Sequence, residues 1–119
     1  MYEYKAIVKK VYDADTITVD IDLGFGTWLK GQQIRLYGIN APEVRGESKV
    51  AGFAARDKLL QWMPLESEII IVTIKDDKEK YGRWLGKIYL QHLVFDKGAV
   101  LISVNERLVT EGYAVKYME

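Results

Sequence analysis

"TITVDIDLGFGTWLKGQQIRLYGINAPE", residues 16–43, decides the architecture. Ile17, Val19, Ile21 and Leu23 point one way; Thr16, Thr18, Asp20 and Asp22 point the other. That alternation belongs to a strand with one dry and one wet face, and it extends back to Tyr4. "DLGFGTWLKGQQ" is rich in turn residues and predicts a hairpin. "IRLYGI" is the return strand, with Ile34 and Leu36 on one face and Arg35 and Tyr37 on the other. "NAPEVRGE" must then be a loop, because Pro42 keeps Ala41 out of the helical region and Gly46 interrupts any regular element beyond it.

Beyond this stretch, "SKVAGFAARDKLLQWM" has helical spacing. Ala51, Ala55, Leu59 and Trp62 fall on one face with Leu60 and Met63, Ser48 is placed to cap the helix, and Pro64 stops it. "SEIIIVTIK" is a β-branched strand covered on both faces. "DDKEKYGR" is a charged connection, and "WLGKIYL" and "HLVF" are two further strands. "SVNE" opens the last helix with Ser103 facing Glu106, and Gly112 is placed to end it. Five antiparallel strands with a helix between the third and fourth predict a mainly β, α+β fold, a closed five-stranded barrel of the OB type with two or three helices. A generic α+β sandwich would give the same string. The 119 residues predict one domain, 1–119, with a single core.

Composition narrows the function. With no cysteine there is no disulfide framework, thiolate zinc site or cysteine nucleophile. His92 is the only histidine, so the usual zinc sites have no ligands, and a surface position suits it better. The start, Met1-Tyr2-Glu3-Tyr4-Lys5, has no apolar h-region, and no run approaches the ~20 apolar residues of a membrane helix. The expectation is a cytoplasmic monomer without membrane contact, although a removed signal would leave no trace. Seventeen basic residues balance seventeen acidic ones, so any contact with nucleic acid must come from a local basic cluster.

Four places hold polar groups that a barrel does not need. Asp13 and Asp15 stand in "YDADT" at a strand start, where aspartates often serve only turns. Arg35 lies mid-strand. Asn40 and Glu43 flank a proline in "NAPE". Lys80, Tyr81 and Arg83 stand in "EKYGRWLG" (79–86), which alone would read as a solvated hairpin tip. Together they supply oxygen donors for a hard cation, two guanidiniums for a phosphate and one spare carboxylate. Phosphodiester hydrolysis needs those parts: charge stabilisation at the phosphoryl oxygens and a group to handle the attacking water. Trp62 reads as core packing, Trp28 and Trp84 as core or stacking residues, Asp20 and Asp22 as solvated.

In order and spacing these segments resemble the staphylococcal-nuclease (thermonuclease) family from about Val8 to Tyr117. "VYDADT" is similar to its D-x-D-T strand start, "IRLYGINAPE" to its R-L-x-x-x-D-x-P-E segment, "KYGR" to K-Y-G-R, and "VNERLVTEGYA" to its last helix. The resemblance implies an OB-type barrel and a nuclease that uses one Ca²⁺ ion on DNA and RNA, preferentially single-stranded, leaving 3′-phosphate ends. It implies Asp15, Asn40 and, through its carbonyl, Ala41 as metal residues. Glu43 would stand over the attacking water, with Arg35 and Arg83 on the scissile phosphate, Lys80 and Tyr81 on the neighbouring phosphate, and Tyr117 against a base. Asn40 stands where the family usually has a second aspartate, which removes one negative charge and predicts weak calcium binding. The loop after Glu43 is shorter than in the best-known member. Two competing readings are a non-catalytic OB-fold module that binds single strands on aromatic platforms, and a protein-interaction barrel in which these residues form only structural ion pairs.

Overall fold

The alternation that begins near Tyr4 runs through two strands, not one. In this computed structural model, which describes residues 2–74, 78 and 80–117, β1 (Glu3–Asp13) turns through Ala14 and Asp15 into β2 (Thr16–Gly24). The hairpin expected next is there, but its turn is confined to Gly24-Phe25-Gly26, and β3 (Thr27–Leu36) already includes most of the glycine- and glutamine-rich stretch. Turn-forming residues are tolerated in β3 because its first half lies on the surface, from Thr27 to Gly31. β4 (Ile39–Asn40) comes directly after it.

The remaining strands are β5 (Glu68–Thr73), β6 (Trp84–Val94), β7 (Gly98–Ser103) and β8 (Val115–Lys116). "WLGKIYL" and "HLVF" are one continuous strand, β6; the reversal comes after it, where the Lys97 N–H donates to the Val94 carbonyl at 3.0 Å. The strand order is β3-β2-β1-β5-β6-β7, and a parallel pairing of β3 with β6, Ile34 beside Trp84 and Leu36 beside Gly86, closes five of these strands into a ring. This is the expected OB-type barrel, with β7 as an outer extension. Its interior is filled from every wall by Val8, Ile17, Val19, Ile34, Leu36, Ile69, Ile71 and Ile88, all fully buried. Burial of each such side chain is worth about 1.5–3 kcal/mol.

Two helices finish the molecule. α1 (Lys49–Trp62) begins after a 3₁₀ turn at Gly46–Ser48 and buries Gly52, Ala55 and Leu59, with Met63 just beyond. Ala51, expected on the inner face, is exposed. The inner line runs through Gly52 because only a residue without a Cβ lets the helix rest on the main chain of Glu43 and Val44. Ser48 does not cap α1; its hydroxyl donates to the Glu43 carbonyl at 3.0 Å. α2 (Val104–Thr110) has the expected cap, the Ser103 hydroxyl accepting from the Glu106 N–H at 3.2 Å, and stops at Gly112, where φ is +82°. Asn105, in its first turn, is buried. Its side-chain oxygen accepts from the Ile88 N–H, and its amide donates to the Tyr37 carbonyl at 2.8 Å, so α2 is tied to both β6 and the end of β3.

Trp62 packs edge-on against Tyr113 and lies under Arg107, and Trp84 donates to the Gln32 side chain at 3.0 Å. His92 is exposed on β6. The charged connection expected at 76–79 lies, Lys78 apart, outside the described residues. Among the described residues no helix is long and apolar enough to cross a membrane.

Candidate active site

The β1–β2 turn, the end of β3, the 40–45 loop and the start of β6 meet around an open cavity of about 620 Å³. Asp15, Arg35, Asn40, Ala41, Glu43, Tyr81 and Arg83 are among the residues that line it. Barrel closure accounts for the meeting. Trp84 pairs in parallel with Ile34, so Arg83, one residue earlier, arrives at the strand that carries Arg35. Lys80 and Tyr117 do not line the cavity. Lys80 is exposed, with its ammonium 5.0 Å from the centre of the Tyr81 ring. Tyr117 lines a separate groove with Tyr37 and Tyr89, and its N–H donates to the Gly38 carbonyl at 2.9 Å.

Asp15 is buried and ties the β1–β2 turn to the next segment. One carboxylate oxygen accepts from the Ala41 N–H at 2.8 Å, and the other from the Thr16 hydroxyl at 3.3 Å. Arg35 is buried as well, not turned to water. Its Nη1 donates to the Leu36 carbonyl and its Nη2 to the Ile39 carbonyl, both at 2.8 Å. Nη2 also reaches the Asn40 side-chain oxygen at 3.3 Å, while Nη1 stands 3.6 Å from Asp15. The guanidinium thus holds the turn between β3 and β4 in shape.

Asp13 lies in the same wall, its carboxylate accepting from the Asp15 N–H at 3.3 Å. Burial, then the hydrogen bond and negative charge of Asp15, pushes its carboxyl up to about 7; the Asp15 N–H and the Arg35 charge oppose the rise without cancelling it. Two carboxylates in so dry a place carry more negative charge than one arginine offsets.

Across the cavity, Arg83 Nη1 donates to the Thr16 hydroxyl at 3.3 Å, and its guanidinium lies 5.5 Å from the Tyr81 ring centre. Glu43 is exposed. Its carboxylate is 3.8 Å from Arg45, an exposed pair of little energetic weight. Its main chain is fixed instead, by the Ser48 hydroxyl on its carbonyl and by the close approach of Gly52. Glu43 therefore lines the cavity from an anchored main chain.

Among the described residues no three acidic, histidine or cysteine side chains group as a metal cluster. A cation here would draw on a mixed oxygen set: the less engaged oxygen of Asp15, the Asn40 amide oxygen, the Ala41 carbonyl and the neighbouring Asp13. Hard, flexible oxygen donors of this kind suit Ca²⁺, and the surplus charge of the aspartate pair is what a cation would relieve.

Sequence reasoning did not single out Tyr12, Gln33 and Arg45, which also line the cavity. Tyr12 is there because of a bulge in β1, which leaves no mark in the hydropathy pattern. No curated protein matches the chain. The family model of the staphylococcal nuclease homologues matches residues 33–119, a range that takes in Arg35, the 40–45 loop and Arg83. The two aspartates lie before that range, and the fold brings them to it. With the match covering well over half of its length, the chain belongs to the staphylococcal nuclease homologue family, a family of nucleases.

Proposed function

We propose that this protein hydrolyses phosphodiester bonds of DNA and RNA with water as nucleophile, acts preferentially on single strands, and uses one weakly bound Ca²⁺. The observation that carries this reading is the convergence of Asp15, Asn40, Arg35, Glu43 and Arg83 from four chain segments on one cavity. Asp15, Asn40 and the Ala41 carbonyl would hold the cation. Calcium, when bound, supplies positive charge against a phosphoryl oxygen.

The chain's own groups do the rest. Arg83 reaches the cavity from the rim and offers a planar fork of donors to the scissile phosphate, where charge builds as water attacks. Arg35 acts from the floor, holding the Asn40 turn and adding its charge. The Glu43 carboxylate orients the water and accepts its proton. The new bond joins water oxygen to phosphorus, the bond to the 5′ oxygen breaks, that oxygen takes a proton from solvent to leave as a hydroxyl, and the product keeps a 3′-phosphate. Tyr81, with Lys80 beside it, receives the neighbouring phosphate, and Tyr117 is the outlying base contact.

The test is incubation of heat-denatured DNA with Ca²⁺, with Mg²⁺ and with chelator. Acid-soluble fragments bearing 3′-phosphate ends are expected with Ca²⁺ and not with chelator. Binding of single strands without any fragments would replace the enzyme by a binding module.

A further inference from the structure

β1 carries an irregularity beside the cavity. Val11 pairs with Ile17 and Asp13 with Thr16, so Tyr12 is the extra residue of a bulge. In a regular strand, neighbours point to opposite faces. Here Tyr12 and Asp13 both line the cavity. Bulges near active sites commonly re-aim a side chain in this way. Tyr12 is 46% exposed, so its ring is open to a ligand.

The next row of the same sheet face continues outward from the site. Lys10, Thr18 and Gln33 stand side by side across β1, β2 and β3. They lie about 6.6 Å, two strand residues, from the row that holds Thr16 and Arg35. Lys10 and Gln33 are exposed, and the Lys10 ammonium is 6.0 Å from the Tyr12 ring centre. Gln33 is itself part of the cavity wall, so the surface is unbroken. Beyond this row the charge reverses. Asp20 comes next on β2, with Lys9 already shared between it and Glu66, and Asp22 lies two residues further.

We propose that Tyr12, Lys10 and Gln33 form a subsite for one further nucleotide of a single-stranded substrate. The base stacks on Tyr12, the phosphate meets Lys10, and the Gln33 amide hydrogen-bonds the sugar or base edge. Aromatic stacking with a nearby cation is the sequence-tolerant way to hold a single strand. Beyond it Asp20, Asp22 and Glu66 outnumber Lys9 and Lys30, so the next phosphate gains nothing and the track ends there. The inference rests on the phosphodiesterase reading above.

A ladder of oligothymidylates, extended one residue at a time at either end, tests it through kcat/KM in Ca²⁺. The wild type should show one step at one end and none on the next addition. Stacking of one base on one ring makes that step roughly 5- to 150-fold. Tyr12→Ala should flatten the step, Tyr12→Phe should keep it, and Lys10→Gln should shrink it together with its salt dependence. A wild-type ladder without a step, or a step that survives in Tyr12→Ala, overturns the subsite alone. No cleavage of any oligonucleotide overturns the phosphodiesterase reading, and the subsite with it.

Discussion

Arg35 and Arg83 share a residue type and differ in what holds them. Arg35 is buried among main-chain carbonyls, and Arg83 is half-buried at the rim. Lysine cannot reproduce the two-carbonyl grip of Arg35, so Arg35→Lys should cost about 2 kcal/mol or more of stability as well as activity. Arg83→Lys should leave the melting temperature nearly unchanged and cut turnover by about 10²-fold. Thermal unfolding beside turnover separates the two. Asp13 gives a pH signature in chelator. Its folded-state carboxyl is raised, so its favourable contribution is complete below the ordinary carboxylate range of about 4 and is lost as pH rises towards about 7. Asp13→Asn cannot ionise, so its melting temperature should gain on the wild type by about 5 °C or more between pH 4 and pH 8. An unchanged difference across that range would remove the buried-pair account. Asn40→Asp adds a charged ligand and should move the calorimetric calcium midpoint to lower concentration. At this scale the sequence marked out Asp13, Asp15 and Arg83, which line the cavity, because the charge in "YDADT" and "KYGR" stands outside the hydrophobic alternation. It did not show that Arg35 is buried, since alternation set it only on the face opposite Ile34 and Leu36 and the curl of 36–40 around its guanidinium is a tertiary fact.

At the scale of elements, the loop at 40–45 owes its position to α1. A glycine in a helix interior normally costs about 1 kcal/mol against alanine. Gly52 has a helical backbone, but a Cβ there would run into the main chain of Glu43 and Val44. Gly52→Ala should therefore shift the base of Glu43. The expected result is a fall in kcat of about tenfold or more with KM little changed, together with a clear loss of melting temperature, because a Cβ against main chain forces the helix or the loop to shift. In a Glu43→Gln background the same substitution should have almost no further effect on kcat, because it acts through the Glu43 carboxylate. Additive losses would make Gly52 a packing residue only. The helix itself was legible from its spacing and from Pro64. Its contact line was displaced from Ala51 to Gly52 because small residues hide which face is inward. The division of 84–95 into two strands failed for a similar reason: Leu90, Gln91 and His92 continue β6 without a break, and the turn signal lies later, at Asp96-Lys97-Gly98.

At the scale of the whole molecule, a closed barrel was readable from strand order, yet the pair of strands that closes it was not. The parallel pairing of β3 with β6 joins residues about 50 positions apart and has no local signature. That closure places Arg83 in the cavity with Arg35. A deoxynucleoside 3′,5′-bisphosphate, whose phosphates match the Arg35–Arg83 and Lys80–Tyr81 positions, should raise the melting temperature, and more so with calcium than either ligand does alone. No shift at millimolar ligand would favour an interaction barrel. The central claim is that this cavity hydrolyses phosphodiesters with Glu43 handling the water, and single-turnover cleavage of single-stranded DNA by the wild type and Glu43→Gln, both in saturating Ca²⁺, tests it most directly. The account predicts calcium-dependent cleavage in the wild type and a rate about 10²- to 10⁴-fold lower in the variant at nearly equal melting temperature; equal rates in the two proteins, or no cleavage in either, would contradict it.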